Sequence, residues 1–266
     1  MKHLSLGVHL SETLQVEVRD SILVIKLNRP EKRNAINDEM ILAIEQVYSN
    51  IPLGVRCAVI YGEGKHFSAG LDLSALKERN AVEGITHSRV WHRTFDAIQF
   101  GTVPTVAVLH GACVGGGLEL ASACHIRVSE QSTFYALPEG QRGIFVGGSG
   151  SVRIPKLIGM SRMMDMMFTG RVYSAVEGER IGLSQYLEAD GKGLEKAMDM
   201  AKKISGNAGM TNYALMHVLP RIVESGQEAG LMMESLISAI AQDAPEAKSR
   251  LADFLEGRAK KVTDNG

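Results

Sequence analysis

The stretch HGACVGGGLELA (110–121) places three consecutive glycines just before the one carboxylate, Glu119, of an otherwise apolar run. Glycine at this density lets a bound molecule approach the main chain, because no Cβ stands in the way. A carboxylate among apolar residues is desolvated, and its proton affinity rises toward neutrality. A second carboxylate, Glu139, follows in ALPEG (136–140). Two such groups facing one cavity can exchange protons with a substrate near neutral pH. Upstream, HFSAGLDL (66–73) sets a small-residue turn between apolar residues. A backbone N–H there, at Gly70–Leu71, and one from the glycine run can together stabilise a developing oxyanion. Taken singly, each feature has a plainer reading: a tight turn before a helix, a helix-start acid, an acid in a surface turn. Their combination suggests chemistry.

The elements that must position these residues read as strands interleaved with helices. LQVEV (14–18) and SILVIKL (21–27) have the β-branched content of a strand pair. NRPEKRNA (28–35) is a polar loop, and Asn37 or Asp38 can cap a helix carrying Met40, Ile41, Ile44 and Val47. CAVIYG (57–62) and TVAVLH (105–110) have the look of buried strands, separated by the loop EGKHFSAG (63–70) and a helical tract over 84–100. LELASAC (118–124) has helical composition, whereas HIRVSE (125–130) and TFYAL (133–137) look like strands. From about 150 onward the chain reads as mostly helical. This order predicts an α/β core over 1–200 and a C-terminal helical region over 201–266, a segment suited to oligomerisation.

Two nearby patterns imitate a nicotinamide-dependent dehydrogenase. Gly111, Gly115 and Gly117 fit a dinucleotide-type spacing, and Tyr61 and Lys65 fit a Tyr–Lys pair. Both fail on context. The glycine motif should open the first strand–helix unit, with the pair far downstream on a helix. Here the order is reversed, and Gly62 and Gly64 between Tyr61 and Lys65 disfavour a helix.

A net charge of −1 gives no bulk attraction to nucleic acid or to an anionic membrane. No apolar run reaches spanning length, and the start lacks a signal-peptide core, so neither kind of partner is expected. Cys57, Cys113 and Cys124 show no paired spacing and read as reduced, buried thiols in a cytoplasmic setting. No zinc-type ligand spacing is present, so no metal is expected. His110 and His125 flank the glycine segment. Either can be a proton shuttle, but a hydrogen-bonded core ring is the favoured reading. The run MSRMMDMMFTG (160–170) reads as core or subunit interface, with a pliable acyl pocket as the alternative.

FSAGLDL, HGACVGGGLELA and ALPEG, in this order and at these separations, resemble the enoyl-CoA hydratase/isomerase (crotonase) family. LNRPEKRNAI (27–36), MMFTGRVYSAVEGERIGL (166–183) and DAPEAKSRLADFLEGR (243–258) extend the likeness over nearly the whole chain. The resemblance implies an α/β fold: a crotonase-like spiral of ββα turns with a C-terminal helical oligomerisation region, assembled as a homotrimer or dimer of trimers. It implies an acyl-CoA substrate and no separate cofactor, coenzyme A being part of the substrate. Carried over by position, the oxyanion donors are the N–H groups of Leu71 and Gly116. Glu119 and Glu139 fall on the acid–base positions of hydratases, and Gly147 on the position that helps hold the catalytic water. Lys32, Arg33 and Ala69 fall in the coenzyme A contacts, with Lys77 a further candidate cation.

The activity so implied is reversible hydration of a 2-enoyl-CoA to a 3-hydroxyacyl-CoA, as used in fatty acid metabolism. The family is broad, and fold does not settle chemistry. Its isomerases generally keep an acid near position 139 and lack the one at 119, so retention of both favours hydration. Isomerisation, thioester hydrolysis and retro-aldol cleavage are the enzymatic alternatives, and a non-catalytic acyl-CoA binder is the alternative of another class. Several positions depart from the common pattern. His110 replaces a frequent Asn, His125 a common Asp, Val146 a proline, Ser74 a lysine and Met216 another lysine. These changes bear on substrate class and phosphate contacts more than on the basic reaction.

Overall fold

The computed structural model describes residues 11–75 and 79–258; Lys77 lies outside them. Strands β1 (Leu14–Arg19) and β2 (Ile22–Leu27) pair antiparallel, Leu14 opposite Leu27 and Arg19 opposite Ile22. The chain reverses between them at Asp20, in the left-handed region at φ +55°. Helix α1 (Asp38–Ser49) follows, capped by Asn37, whose side chain accepts from the Met40 N–H. Next come β3 (Cys57–Gly62), α2 (Ala81–Gln99), β4 (Thr105–Leu109), β5 (Ala112–Val114), α3 (Gly116–Ala123), β6 (Ile126–Glu130) and β7 (Phe134–Ala136). Helices α4 (Gly150–Ile158) and α5 (Met160–Thr169) precede β8 (Tyr173–Ser174), α6 (Ala175–Ile181), β9 (Tyr186–Glu188) and α7 (Gly193–Ser205). The larger sheet has the order β1-β2-β3-β4-β6-β9, parallel beyond the first hairpin, and β5-β7-β8 form a smaller one.

The period-two alternation of a strand explains how one sheet serves two cores. Leu23, Ile25 and Leu27 of β2 face the main core with Met40, Ile44 and Phe95. Ile22 and Val24 point the other way, joining Val59, Val106 and Val128 against Ala197 and Ala201 of α7. The small alanines let that helix lie close to the sheet.

The chain divides into two compact units between Ser205 and Gly206. A boundary at 200 would cut α7, whose Ala201 packs on the sheet. Beyond 150 the chain is mostly helical, as expected, and two short strands interrupt the helices. β8 and β9 are strands of two and three residues, too short for their alternation to show against the helices around them. The second unit carries α8 (Gly209–Tyr213), a π-helical turn (Ala214–Val218), α9 (Leu219–Glu224), α10 (Gln227–Asp243) and α11 (Pro245–Leu255). Met216, on the π turn, is buried. Among the described residues no helix is long and apolar enough to cross a membrane.

Both ends of α3 are determined by its surroundings. At its C-terminal end the buried Arg127 donates from Nη1 to the Ala121 and Cys124 carbonyls (3.3 and 2.6 Å), and from Nε to Leu183 O (2.9 Å). A guanidinium there complements the negative end of the helix dipole. The next residue but one upstream, His125, is held on both edges. Its Nδ1 accepts from the Thr105 N–H (3.0 Å), which leaves Nε2–H to face Gln99 O (3.1 Å). It is a half-buried ring, hydrogen-bonded on both edges. Burial likewise holds the His110 pKa below its usual value. The cysteines are free and buried, and burial pushes the thiols of Cys57 and Cys124 up to about 12.

Candidate active site

Three loops meet in front of the α3 N-terminus, and side-chain contacts tie them together. The buried Asn34 accepts from the Arg29 N–H (2.9 Å) and donates to the carbonyls of Glu63 and His66 (2.9 and 2.7 Å). Ser68 Oγ donates to Asn34 O (2.8 Å). Arg29 pairs with Asp72 at 2.9 Å. The Ser74 hydroxyl, then Arg29, hold the Asp72 carboxyl below its usual range. Ser74 is thus occupied in bracing this loop (Oγ to Asp72 Oδ1, 2.6 Å).

These ties set the direction of one N–H. Ile36 donates to Gly70 O (2.7 Å), and Asp72 donates back to Ile36 O (2.9 Å). In this parallel bridge the residue between them, Leu71, keeps its own N–H on the opposite side. There it faces Gly116: a Cβ built on Gly116 would come within 3.3 Å of Leu71 N and 2.8 Å of the Trp91 ring. Gly116 opens α3, where backbone N–H groups have no partner within the helix. Gly70 has φ +88°, and a Cβ on it would meet Val114 O at 2.6 Å and Gly116 N at 2.9 Å. Glycine at 70 and 116 therefore keeps two N–H donors side by side and uncovered.

One turn into α3, Glu119 is 4% exposed, and its Oε1 accepts from the N–H groups of Gly148 and Gly150 (2.9 and 2.7 Å). Burial pushes its pKa up to about 7; the Gly150 N–H opposes the shift, and the Glu139 charge adds to it. Glu139 is 8% exposed, its Oε2 has no hydrogen-bond partner, and burial raises its pKa too. Both carboxyls line a cavity of about 300 Å³.

The candidate residues sort clearly by place. Leu71, Gly116, Glu119, Glu139, Gly147 and Ala69 all line that cavity. Lys32 and Arg33 do not; they are exposed on the neighbouring loop, whose Arg33 carbonyl accepts the Ala69 N–H (2.9 Å). The N–H groups that hold Glu119 belong to Gly148 and Gly150, whereas the Gly147 carbonyl accepts from Ser88 Oγ. Neither His110 nor His125 reaches the cavity, and the buried Met163 and Met166 of α5 serve the core. Sequence reasoning missed the Gly148–Gly150 clamp and the cavity-lining Arg79, His87 and Arg142. It also missed the Asn34 and Arg29–Asp72 ties. A backbone clamp leaves no side-chain signature, and lone surface-type residues give none.

The raised Glu119 pKa has a consequence for stability. Between its usual 4.5 and about 7 the folded protein binds a proton that the unfolded chain has released. Stability therefore falls as pH rises through that window, by on the order of 3 kcal/mol for a gap of this size. Glu119→Gln removes the penalty and is expected to melt above wild type at pH 8, with the gap closing toward pH 4.5. Equal melting temperatures at pH 8 would contradict a buried, proton-hungry Glu119.

Such a site suits a substrate that passes through an oxyanion while exchanging protons with two carboxyl groups. Comparison with known proteins gives the family. The family model described as enoyl-CoA hydratase/isomerase matches residues 17–265. A solved structure described as a "putative enoyl-CoA hydratase" from Rhodopseudomonas palustris is 54% identical, with a TM-score of 0.91, covering 94% of this chain and 97% of that one. A "Putative enoyl-CoA hydratase" of Thermus thermophilus is 32% identical over 250 residues, 92% of this chain and 98% of that protein. A short-chain-enoyl-CoA hydratase of Clostridium acetobutylicum is 28% identical over 246 residues, 91% of this chain and 94% of the other. The fold is the crotonase fold, with its C-terminal helices. The chain belongs to the enoyl-CoA hydratase/isomerase family.

Proposed function

We propose that the protein hydrates a 2-enoyl-CoA reversibly to a 3-hydroxyacyl-CoA. The observation that supports this reading best is the pair Glu119 and Glu139, buried on the cavity that Leu71 and Gly116 also line. The thioester oxygen sits between the Leu71 and Gly116 N–H groups. Conjugation then carries the charge of the attacked alkene onto that oxygen, where two fixed donors meet it without reorganising. Water rests between the carboxyl groups, near Gly147, and adds at the β-carbon. An ionised carboxyl takes the water's proton and a protonated one supplies the α-carbon, so the pair's proton count is unchanged. Burial and like charge favour one shared proton near neutrality.

A single-acid isomerase would have little use for Glu119. Here both Glu119 Oε1 hydrogen bonds come from backbone N–H groups, an arrangement that fixes the carboxyl's direction. That observation favours hydration over isomerisation. Coenzyme A is held as part of the substrate, by Ala69 in the cavity and by Lys32 and Arg33 on the neighbouring loop, with no separate cofactor. The working form is a cytoplasmic homotrimer or dimer of trimers.

The test is loss of enone absorbance with crotonyl-CoA, run beside a longer and an aromatic enoyl-CoA. Prompt loss without thiol release supports hydration. Thiol release, migration of the double bond, or binding without turnover would move the assignment to hydrolase, isomerase or silent binder.

A further inference from the structure

The loop that holds Glu119 contains a conformation that its sequence does not favour. Ser149 lies between the two donor glycines with φ +80°. Left-handed backbone between two residues lets both N–H groups converge on one anionic oxygen, as in an anion-binding nest. A serine stays there only when its surroundings hold it. Two contacts do so: Ser149 Oγ donates to the Gly148 carbonyl and accepts from Arg153 Nη1. Arg153 is itself 6% exposed. Its Nε donates to Gln99 Oε1 (2.6 Å) and its Nη2 to Asp96 Oδ1 (2.7 Å), so it is anchored on α2. The Ser149 carbonyl accepts the Val152 and Arg153 N–H groups at the start of α4 (3.1 and 3.2 Å).

We propose that Ser149 and Arg153 form a clasp that positions Glu119, keeping the Gly148 and Gly150 N–H groups aimed at its carboxyl. They are positioning residues, since neither donates to Glu119 itself. The inference rests on Glu119 acting in the proposed hydration. The charged groups facing Glu119 are Glu139 across the cavity and Arg153 behind the loop, the latter balanced by Asp96. Loosening the clasp removes support from the carboxylate form, so the pKa of Glu119 rises further.

Ser149→Ala, Ser149→Gly, Arg153→Lys and Arg153→Gln test this, with kcat, KM and melting temperature measured on crotonyl-CoA hydration. Ser149→Ala is expected to lose roughly 10- to 100-fold in kcat with KM within about twofold, the scale on which small misplacements act. Ser149→Gly should lose less, because glycine adopts φ +80° without strain. Arg153→Lys should fall between wild type and Arg153→Gln. Titration of 13C-labelled glutamate carboxyls, with Glu119 assigned through its Gln variant, should show its pKa higher in Ser149→Ala. Ser149→Ala with wild-type kcat and an unmoved Glu119 titration would overturn the clasp. Wild type that hydrates no enoyl-CoA would instead overturn the hydration reading, and the carboxyl titration would still judge the clasp.

Discussion

Glu119→Gln is expected to lower kcat for enoyl-CoA hydration by about 10²- to 10⁴-fold, the usual worth of a positioned acid or base. Gln keeps the shape of Glu and can still accept from the Gly148 and Gly150 N–H groups, so the loop and KM should change little. What it loses is the ability to hold or release a proton. Glu139→Gln should fall by a similar factor, since its buried, unpartnered Oε2 is the natural site of the pair's other proton exchange. The double variant should be little worse than either single one. Groups that act as a unit are not additive, because the first loss already disables the shared step. Steady-state kinetics on the three variants, with melting temperatures alongside, check this. A Glu119→Gln enzyme near the wild-type hydration rate would remove Glu119 from the proton-transfer step.

The second large effect belongs to a residue with no side chain. Gly116→Ala should reduce kcat by about 10²- to 10³-fold, comparable to losing an oxyanion donor. The new methyl would lie 2.8 Å from the Trp91 ring and 3.3 Å from Leu71 N, the space the thioester oxygen needs. Trp91 is buried and packs edge-on against Phe95 at 5.6 Å, so it cannot simply swing aside. Binding of an enolate-like 3-oxoacyl-CoA should weaken in parallel with kcat, because both depend on that pair of donors. Unchanged kcat in Gly116→Ala would remove Gly116 from the oxyanion site.

The sequence marks these residues well because their chemistry constrains residue type. Consecutive glycines followed by a carboxylate in an apolar run are costly unless something approaches the backbone there, and Glu119 proves buried at that spot. The β-branched runs of β2, β3 and β4 likewise lie buried where composition placed them. What stayed hidden is carried by backbone or by distance. The Gly148 and Gly150 donors have no side chains to read. Ser149 looks like an ordinary loop serine until its φ is known. Arg127, in a stretch read only as a strand, is buried against carbonyls from two separate segments. β9 joins the sheet through three residues, paired to a strand far earlier in the chain. Short elements and long-range contacts leave little periodicity to detect.

The most direct test of the account is turnover of crotonyl-CoA in deuterated water, followed by proton NMR of the acyl group. 3-Hydroxybutyryl-CoA carrying deuterium at the α-carbon is expected from wild type, formed about 10²- to 10⁴-fold more slowly by Glu119→Gln or Glu139→Gln. Free coenzyme A, a 3-enoyl product, or hydration at the wild-type rate by both Gln variants would contradict the account.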